Sequence, residues 1–298
     1  MSWIKQELKR RQELINQALD KFLLPADAYP PLIHQAMRYS VMSGGKRLRP
    51  MLAGAAAEAV GGSLDMVLPA AVAIECIHCY SLIHDDLPAM DDDDLRRGQP
   101  TCHRVFGEAI AILAGDALLT LAFEFLSRLS EQPEGPPALV VLQVIRELAE
   151  AAGTRGMIGG QVLDLEAEQK PVDAAGLEVI HRLKTGALIR AAVRSGAMLA
   201  GASPEDLRSL TAYAEELGLA FQITDDILDE IGEEKETGKP VGSDRRHQKA
   251  TFPALYGIDA SLAMARGCVE RAVESLRDFG EAGRFLRELA YYVLERRS

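Results

Sequence analysis

The chain lacks a basic excess: 33 Lys and Arg stand against 44 Asp and Glu, giving a formal net charge of -11 over 298 residues. Broad nucleic-acid binding is disfavoured, because no positive field offsets the acidic one. Any anionic ligand must be drawn by local cations or by bound metal. There is no uncharged run of about 20 apolar residues, and the opening Met1-Ser2-Trp3-Ile4-Lys5-Gln6-Glu7 has no signal-peptide core and already carries an acid. No membrane insertion and a cytoplasmic location are the expectations. The four cysteines, Cys76, Cys79, Cys102 and Cys268, do not form paired CxxC units, which disfavours zinc and thiol-redox chemistry. Cys76 and Cys79 lie in an apolar helical run and read as small hydrophobes. A calcium-loop pattern is also missing.

Alternating strand patterns are absent too. Apolar residues recur at helical spacing almost throughout. Ile110, Leu113, Ala117, Leu121 and Phe125 make one expected stripe; Ile180, Leu183, Ala187, Ala191 and Met198 make another. A third runs through Leu207, Leu210, Ala214, Leu217, Phe221, Thr224 and Leu228. Ser203-Pro204 reads as an N-cap followed by proline at the first helical position. Short breaks at Pro30-Pro31, Gly44-Gly45, Gly61-Gly62 and between Pro133 and Pro137 leave around ten helices, with no low-complexity linker. The expectation is an all-α, single-domain helical bundle over residues 1–298.

Two aspartate clusters, about 140 positions apart, each end an apolar helical segment. The first runs Asp85-Asp86-Leu87-Pro88-Ala89-Met90-Asp91 and on through Asp94; the second is Asp225-Asp226-Ile227-Leu228-Asp229. Facing carboxylates repel unless a hard cation lies between them, and carboxylate oxygens suit Mg²⁺, which is commonly completed by substrate phosphates. Gln222, Asp225, Asp226 and Asp229 have helical same-face spacing. Asp85 and Asp91 are six apart with Pro88 between, so both reach one ion only if the helix is distorted there. Cations accompany the acids: Lys46, Arg47 and Arg49 after Gly44-Gly45, then Arg96-Arg97, whose guanidinium forks match phosphate oxygens. Lys184-Thr185 interrupts an apolar helix, and the polar stretch Gly232–Gln248 is either a solvated loop or, from its position after the second cluster, a closing lid.

Together the ordered motifs resemble the trans-isoprenyl diphosphate synthase family, most of all its bacterial-type farnesyl diphosphate synthases. They are Gly-Gly-Lys46-Arg-Leu-Arg49-Pro, Ile-His78-Cys-Tyr-Ser-Leu-Ile-His-Asp85-Asp with Arg96-Arg97-Gly, and Gly-Asp116-Ala-Leu-Leu. Gly160-Gln161-Val-Leu-Asp164, Lys184-Thr185-Gly, Phe221-Gln222-Ile-Thr-Asp225-Asp and Lys249-Ala-Thr-Phe-Pro follow. The resemblance covers nearly the whole chain. It implies an isoprenoid-synthase-type bundle around a central cavity, working as a homodimer. It implies that Asp85, Asp86, Asp91 and Asp225 hold Mg²⁺ (three ions once diphosphate is bound, Mn²⁺ substituting), with Asp229 in support. Arg96, Lys184 and Lys239 are then expected to clamp the dimethylallyl or geranyl diphosphate. Lys46, Arg49, His78 and Arg97 are expected to bind isopentenyl diphosphate, Thr185 and Gln222 to face the allylic cation, and Lys249 to contact the substrate from the lid.

Product length depends on the tail pocket. Tyr80 lies five residues, roughly 7.5 Å, before Asp85 on one helix, where a phenol ring obstructs elongation; its neighbour Ser81 is small. This favours a fifteen-carbon product over the twenty-carbon product of a geranylgeranyl diphosphate synthase. A non-catalytic regulatory subunit of the same fold is the alternative of another class, but both aspartate clusters are complete. A class I terpene cyclase would lack the second cationic pocket.

Overall fold

In the computed structural model, residues 2–131, 135–167, 172–231 and 250–295 are described. The stretch Gly232–Gln248, with Lys239, then Lys249 and the C-terminal Arg296-Arg297, lies outside them. The described residues contain fourteen α-helical segments and one minimal hairpin. They are α1 (Trp3–Phe22), α2 (Pro31–Met42), α3 (Leu48–Ala59), α4 (Leu64–Asp85), α5 (Cys102–Phe106), α6 (Glu108–Ser127) and α7 (Ala138–Ala152). Then follow α8 (Met157–Ala167), α9 (Ala174–His181), α10 (Ala187–Leu199), α11 (Pro204–Ile231), α12 (Phe252–Tyr256), α13 (Ile258–Glu274) and α14 (Arg284–Glu295). The hairpin pairs β1 (Leu95–Arg96) antiparallel with β2 (Gln99–Pro100). It is the one β element among the described residues, and the sequence pattern gave no sign of it.

Helix α4 is the axis. It is apolar all round, which suits burial at the centre of a bundle, and it packs against α1, α2, α3, α6 and α10. Its neighbours come close because they present small residues. Ala53, Ala55, Ala56 and Ala57 of α3 are buried. A methyl group on Gly196 of α10 would sit 1.9 Å from the Ala53 carbonyl oxygen, so only glycine permits that crossing. The buried apolar residues form one core cluster reaching from α1 to α14. Arg11 ties the ends together: it pairs with Glu7 and with Glu58, at 2.5 Å, while its guanidinium lies 4.2 Å from the Phe285 ring.

Several helix expectations change on the structure. The N-terminus of α11 has the anticipated cap, with the Asp206 N–H donating to Ser203 Oγ at 3.1 Å and that hydroxyl donating to Asp206 Oδ2 at 2.7 Å. The expected α6 stripe is partly buried, with Ile110, Ala117, Leu121 and Phe125 packed against the core, but it is not the most buried face. Ala111, Ala114, Leu118, Ala122 and Leu126 face the core, and Leu113 is exposed. The stripe from Ile180 to Met198 is no single α-helix, because Arg182–Gly186 forms a π-helical turn between α9 and α10. By length and mean hydropathy, α4 and α6 would both pass for membrane-spanning helices. In α4 that apolarity is explained by its place in the core.

Candidate active site

A cavity of about 1140 Å³ opens beside α4 and is lined from α3, α4, α6, α8, the π-helical turn, α11 and the hairpin. Asp85 and Asp225 both face it, so the two aspartate clusters share one space. Helix α4 stops at Asp85. Beyond it the Asp91 N–H reaches back six residues to the Asp85 carbonyl at 2.9 Å, and Asp92 adopts a left-handed φ of 53°. This is the loosening that the six-residue spacing requires. Burial, followed by the charge of Asp91, pushes the Asp85 carboxyl up to about 6, while Lys184 across the cavity opposes the shift.

The second aspartate of each pair is turned elsewhere. Asp86 is buried and takes an ion pair from Arg96, whose Nε donates to Oδ1 at 2.6 Å; it is not on the cavity wall. Asp226 is buried against α9 and α12. It accepts the Phe252 N–H at 2.9 Å and the His181 Nε2–H at 3.3 Å. Successive helical residues point about 100° apart, which lets the second carboxylate of each pair turn away from the wall that the first one lines. Of the expected metal ligands, Asp85 and Asp225 line the cavity and Asp86, Asp91 and Asp229 do not; of the face from Gln222 to Asp229, the wall takes Gln222 and Asp225. Asp229 follows one turn beyond Asp225 and is half-buried.

The cationic pocket is built on the Gly44-Gly45 turn. Gly45 has a φ of 117°, and a methyl group there would overlap the Arg97 guanidinium at 2.5 Å. Arg97 lies flat on this backbone and donates to the Gly44 carbonyl. Lys46, Arg49 and His78 line the same wall. Arg49 Nε is buried with no hydrogen-bond partner among the described residues. Burial, and then Arg49 and Arg97, hold the His78 imidazole well below its usual range, so it is neutral near pH 7. Half-buried Arg49 and Arg97, with the exposed Lys46 beside them, make a site that favours an anion.

Residues to which sequence reasoning assigned no role support these groups. Arg47 sits in the left-handed region at φ 51°. It is held there by Glu75 Oε1 at 2.7 Å, Asn16 Oδ1 at 2.9 Å and the Val41 carbonyl at 2.5 Å. The Arg47–Glu75 pair is buried, 1% exposed on each side, and fixes the segment from which Lys46 and Arg49 project. Glu75 was detectable as the one acid inside the apolar run of α4. Lys184 donates to Asp164 at 2.6 Å from the π-helical turn, and that turn fits against α8 because a methyl on Gly160 would meet the Lys184 nitrogen at 2.2 Å. Thr185 and Gln222 line the cavity beside it. Gln222 Nε2 donates to His181 Nδ1 at 3.3 Å, which leaves its carbonyl oxygen for the cavity.

The other end is apolar. Tyr80, Ile112, Met157, Ile158, Val162 and Leu165 contribute to the wall, and Tyr80 is 5% exposed. The cysteines are free and buried, with the Cys79 thiol pushed up to about 12, chiefly by burial.

The donors at the polar end are hard carboxylate oxygens, which fit a divalent cation such as Mg²⁺. No group of three or more His, Cys, Asp and Glu among the described residues forms a ready-made cage. Ions held there would complete their coordination with oxygens from water or from a bound ligand.

The polyprenyl synthetase family pattern matches residues 30–283. The farnesyl diphosphate synthase of Escherichia coli is 49% identical over 295 residues, 98% of each chain. A geranylgeranyl diphosphate synthase of Cyanophora paradoxa is 45% identical over 97% of this chain and 95% of its own. Among solved structures, an FPP/GFPP synthase of Zymomonas mobilis superposes with a TM-score of 0.85 at 39% identity, covering 98% of each chain. With both acidic helix ends, the cationic turn and the apolar tail wall meeting in one cavity, this chain belongs to the polyprenyl synthetase family of trans-prenyltransferases.

Proposed function

We propose that this chain joins isopentenyl diphosphate to dimethylallyl diphosphate and then to geranyl diphosphate, releasing farnesyl diphosphate and inorganic diphosphate. The observation that carries the reading is a single cavity that is carboxylate-lined at one end, cationic beside it and closed by aromatic and aliphatic groups at the other. When bound, Mg²⁺ (three ions, with Mn²⁺ as a substitute) supplies the positive charge that stabilises the allylic diphosphate as its C–O bond breaks. Asp85, Asp91 and Asp225, supported by Asp229, are the proposed ligands.

Lys184, kept in place by Asp164, binds the allylic diphosphate together with Arg96 and, from outside the described residues, Lys239. Lys46, Arg49 and Arg97 bind the second diphosphate, and neutral His78 adds a hydrogen bond without adding charge. As the allylic C–O bond breaks, the bonding pair leaves with diphosphate. The carbonyl dipoles of Thr185 and Gln222 face the resulting cation without attacking it. The double bond of isopentenyl diphosphate then forms the new C–C bond, and a proton passes to the released diphosphate. Closure of the lid, with Lys249 at its end, would exclude the water that otherwise traps the cation.

A fifteen-carbon limit is favoured by the buried Tyr80 ring over a twenty-carbon one. We further propose one domain over 1–298, supported by the single core cluster, and a homodimer. Ile112 and Leu113 of α6 and Leu139 and Leu142 of α7 expose apolar surface, which a second copy would cover in place of a bilayer. On this reading the chain is cytoplasmic and binds no nucleic acid. The test is mass analysis of products after incubation with isopentenyl and geranyl diphosphates and Mg²⁺. Farnesyl diphosphate is expected, with longer chains from Tyr80→Ala. A non-catalytic subunit would bind both substrates and release no diphosphate.

A further inference from the structure

His84 lines the cavity between Asp85 and the deeper Tyr80, and it is a polar side chain that the reaction does not use. His84 follows Tyr80 by one helical turn, and the two rings meet edge to face, 5.8 Å between centroids and 74° between planes. The Tyr80 hydroxyl is buried with no hydrogen-bond partner among the described residues, and packing holds that ring. His84, by contrast, is fixed from outside its own helix. Its Nε2–H donates to the Ile112 carbonyl of α6 at 3.0 Å; a carbonyl only accepts, so the proton is on Nε2. The imidazole lies over Gly115, where a methyl group would come within 2.2 Å of Nε2 and 2.6 Å of Cδ2. Tyr80, His84 and Ile112 all line the cavity.

We propose that His84 is a positioning residue that determines product length. Locked against α6 by the Ile112 carbonyl and the space at Gly115, it braces the Tyr80 ring and fixes how far a growing hydrocarbon tail can enter. The floor is then a device of two helices, with Gly115 setting its depth from the far side. The inference rests on the prenyl-elongation reading above.

Its two ends predict opposite effects. Removing the imidazole frees Tyr80 to swing towards α6, which deepens the pocket. Adding a methyl at Gly115 drives the imidazole away from α6 and towards Tyr80, which makes the pocket shallower. His84 adjoins Asp85, so damage to the carboxylate would alter turnover; product length, taken as a ratio, separates positioning from that damage.

The experiment uses the purified full chain with isopentenyl and dimethylallyl diphosphates and Mg²⁺, with products resolved by mass. His84→Ala is expected to raise the C20:C15 ratio at least about tenfold, the scale on which a pocket discriminates hydrocarbon size. His84→Asn, which also lacks the ring, carries the same expectation should His84→Ala fail to fold. Gly115→Ala is expected to shift product towards C10. An unchanged distribution in a folded His84 variant, or shifts of the same sign from both positions, overturns the proposal. A parent enzyme that forms no prenyl product would instead remove the underlying reading.

Discussion

The two aspartate pairs use the same division of labour and are secured differently. In each, the first carboxylate faces the cavity and the second turns back into the protein. Asp86 is held locally by Arg96, ten residues on, in a hairpin loop that also sees solvent. Asp226 is held by groups 45 and 26 residues away, the His181 imidazole and the Phe252 N–H, on two other helices. One pair is therefore anchored within its own loop. The other ties α9, α11 and α12 together, and through His181 it also orients Gln222. Substituting the first member of each pair should affect chemistry, whereas substituting the second should separate the two by stability.

The largest effect is expected at the cavity-facing members. Asp85→Asn and Asp225→Asn should each lower kcat by about 10² to 10³, the range for removing one preorganised electrostatic group. Neither should unfold the protein. Asp85 has a further consequence in metal-free enzyme. Its carboxyl is raised from 3.8 to about 6, so the folded state binds a proton more tightly than the unfolded chain. Ionising it destabilises the fold as pH rises from about 4 through 6, by about 3 kcal/mol once fully ionised. Asp85→Asn should therefore raise the melting temperature of metal-free protein at pH 7, with the gain shrinking as pH falls below 6. A gain independent of pH would remove the assigned cause.

The next effect distinguishes the buried members. Asp226→Ala strands the Phe252 and His181 donors where water does not reach, at about 1–3 kcal/mol. Asp86→Ala leaves Arg96 beside Asp93 at 3.5 Å and facing the open cavity, so its charge is not stranded. Urea unfolding should show a larger loss of midpoint for Asp226→Ala than for Asp86→Ala. Equal losses would mean that the first pair is anchored as deeply as the second.

How much of this was legible follows from what local patterns encode. The helices and the distortion after Asp85 were readable, since period and spacing are local properties. The buried face of α6 was misplaced because that helix is apolar nearly all round. Its fully buried side, Ala111, Ala114, Leu118, Ala122 and Leu126, lies one residue along from the expected stripe, of which Leu113 faces out. The π-helical turn was not readable in Arg182–Gly186 itself, because it depends on Gly160 and Gly218 clearing space from other helices. Glu75 shows the opposite case. An acid within an apolar helix announces a buried partner, but sequence alone does not name Arg47, 28 residues away.

The smallest effect tests whether the first cluster's loop is braced from outside after all. The Tyr39 hydroxyl on α2 donates to the Pro100 carbonyl at 2.7 Å, and its ring packs edge to face on Phe106 at 5.5 Å. Tyr39→Phe keeps the ring and removes only the hydrogen bond, an exposed one that should contribute about 0.5–1.5 kcal/mol. Pro100 ends the hairpin that carries Arg96 and Arg97. If that hairpin aims the guanidiniums, the loss should appear as a KM for isopentenyl diphosphate raised about two- to tenfold, with kcat nearly unchanged. An unaltered KM with a lowered melting temperature would make Tyr39 a stabilising contact only. The contrast between the two clusters would then rest on Asp86–Arg96 within the loop against the His181 and Phe252 contacts of Asp226.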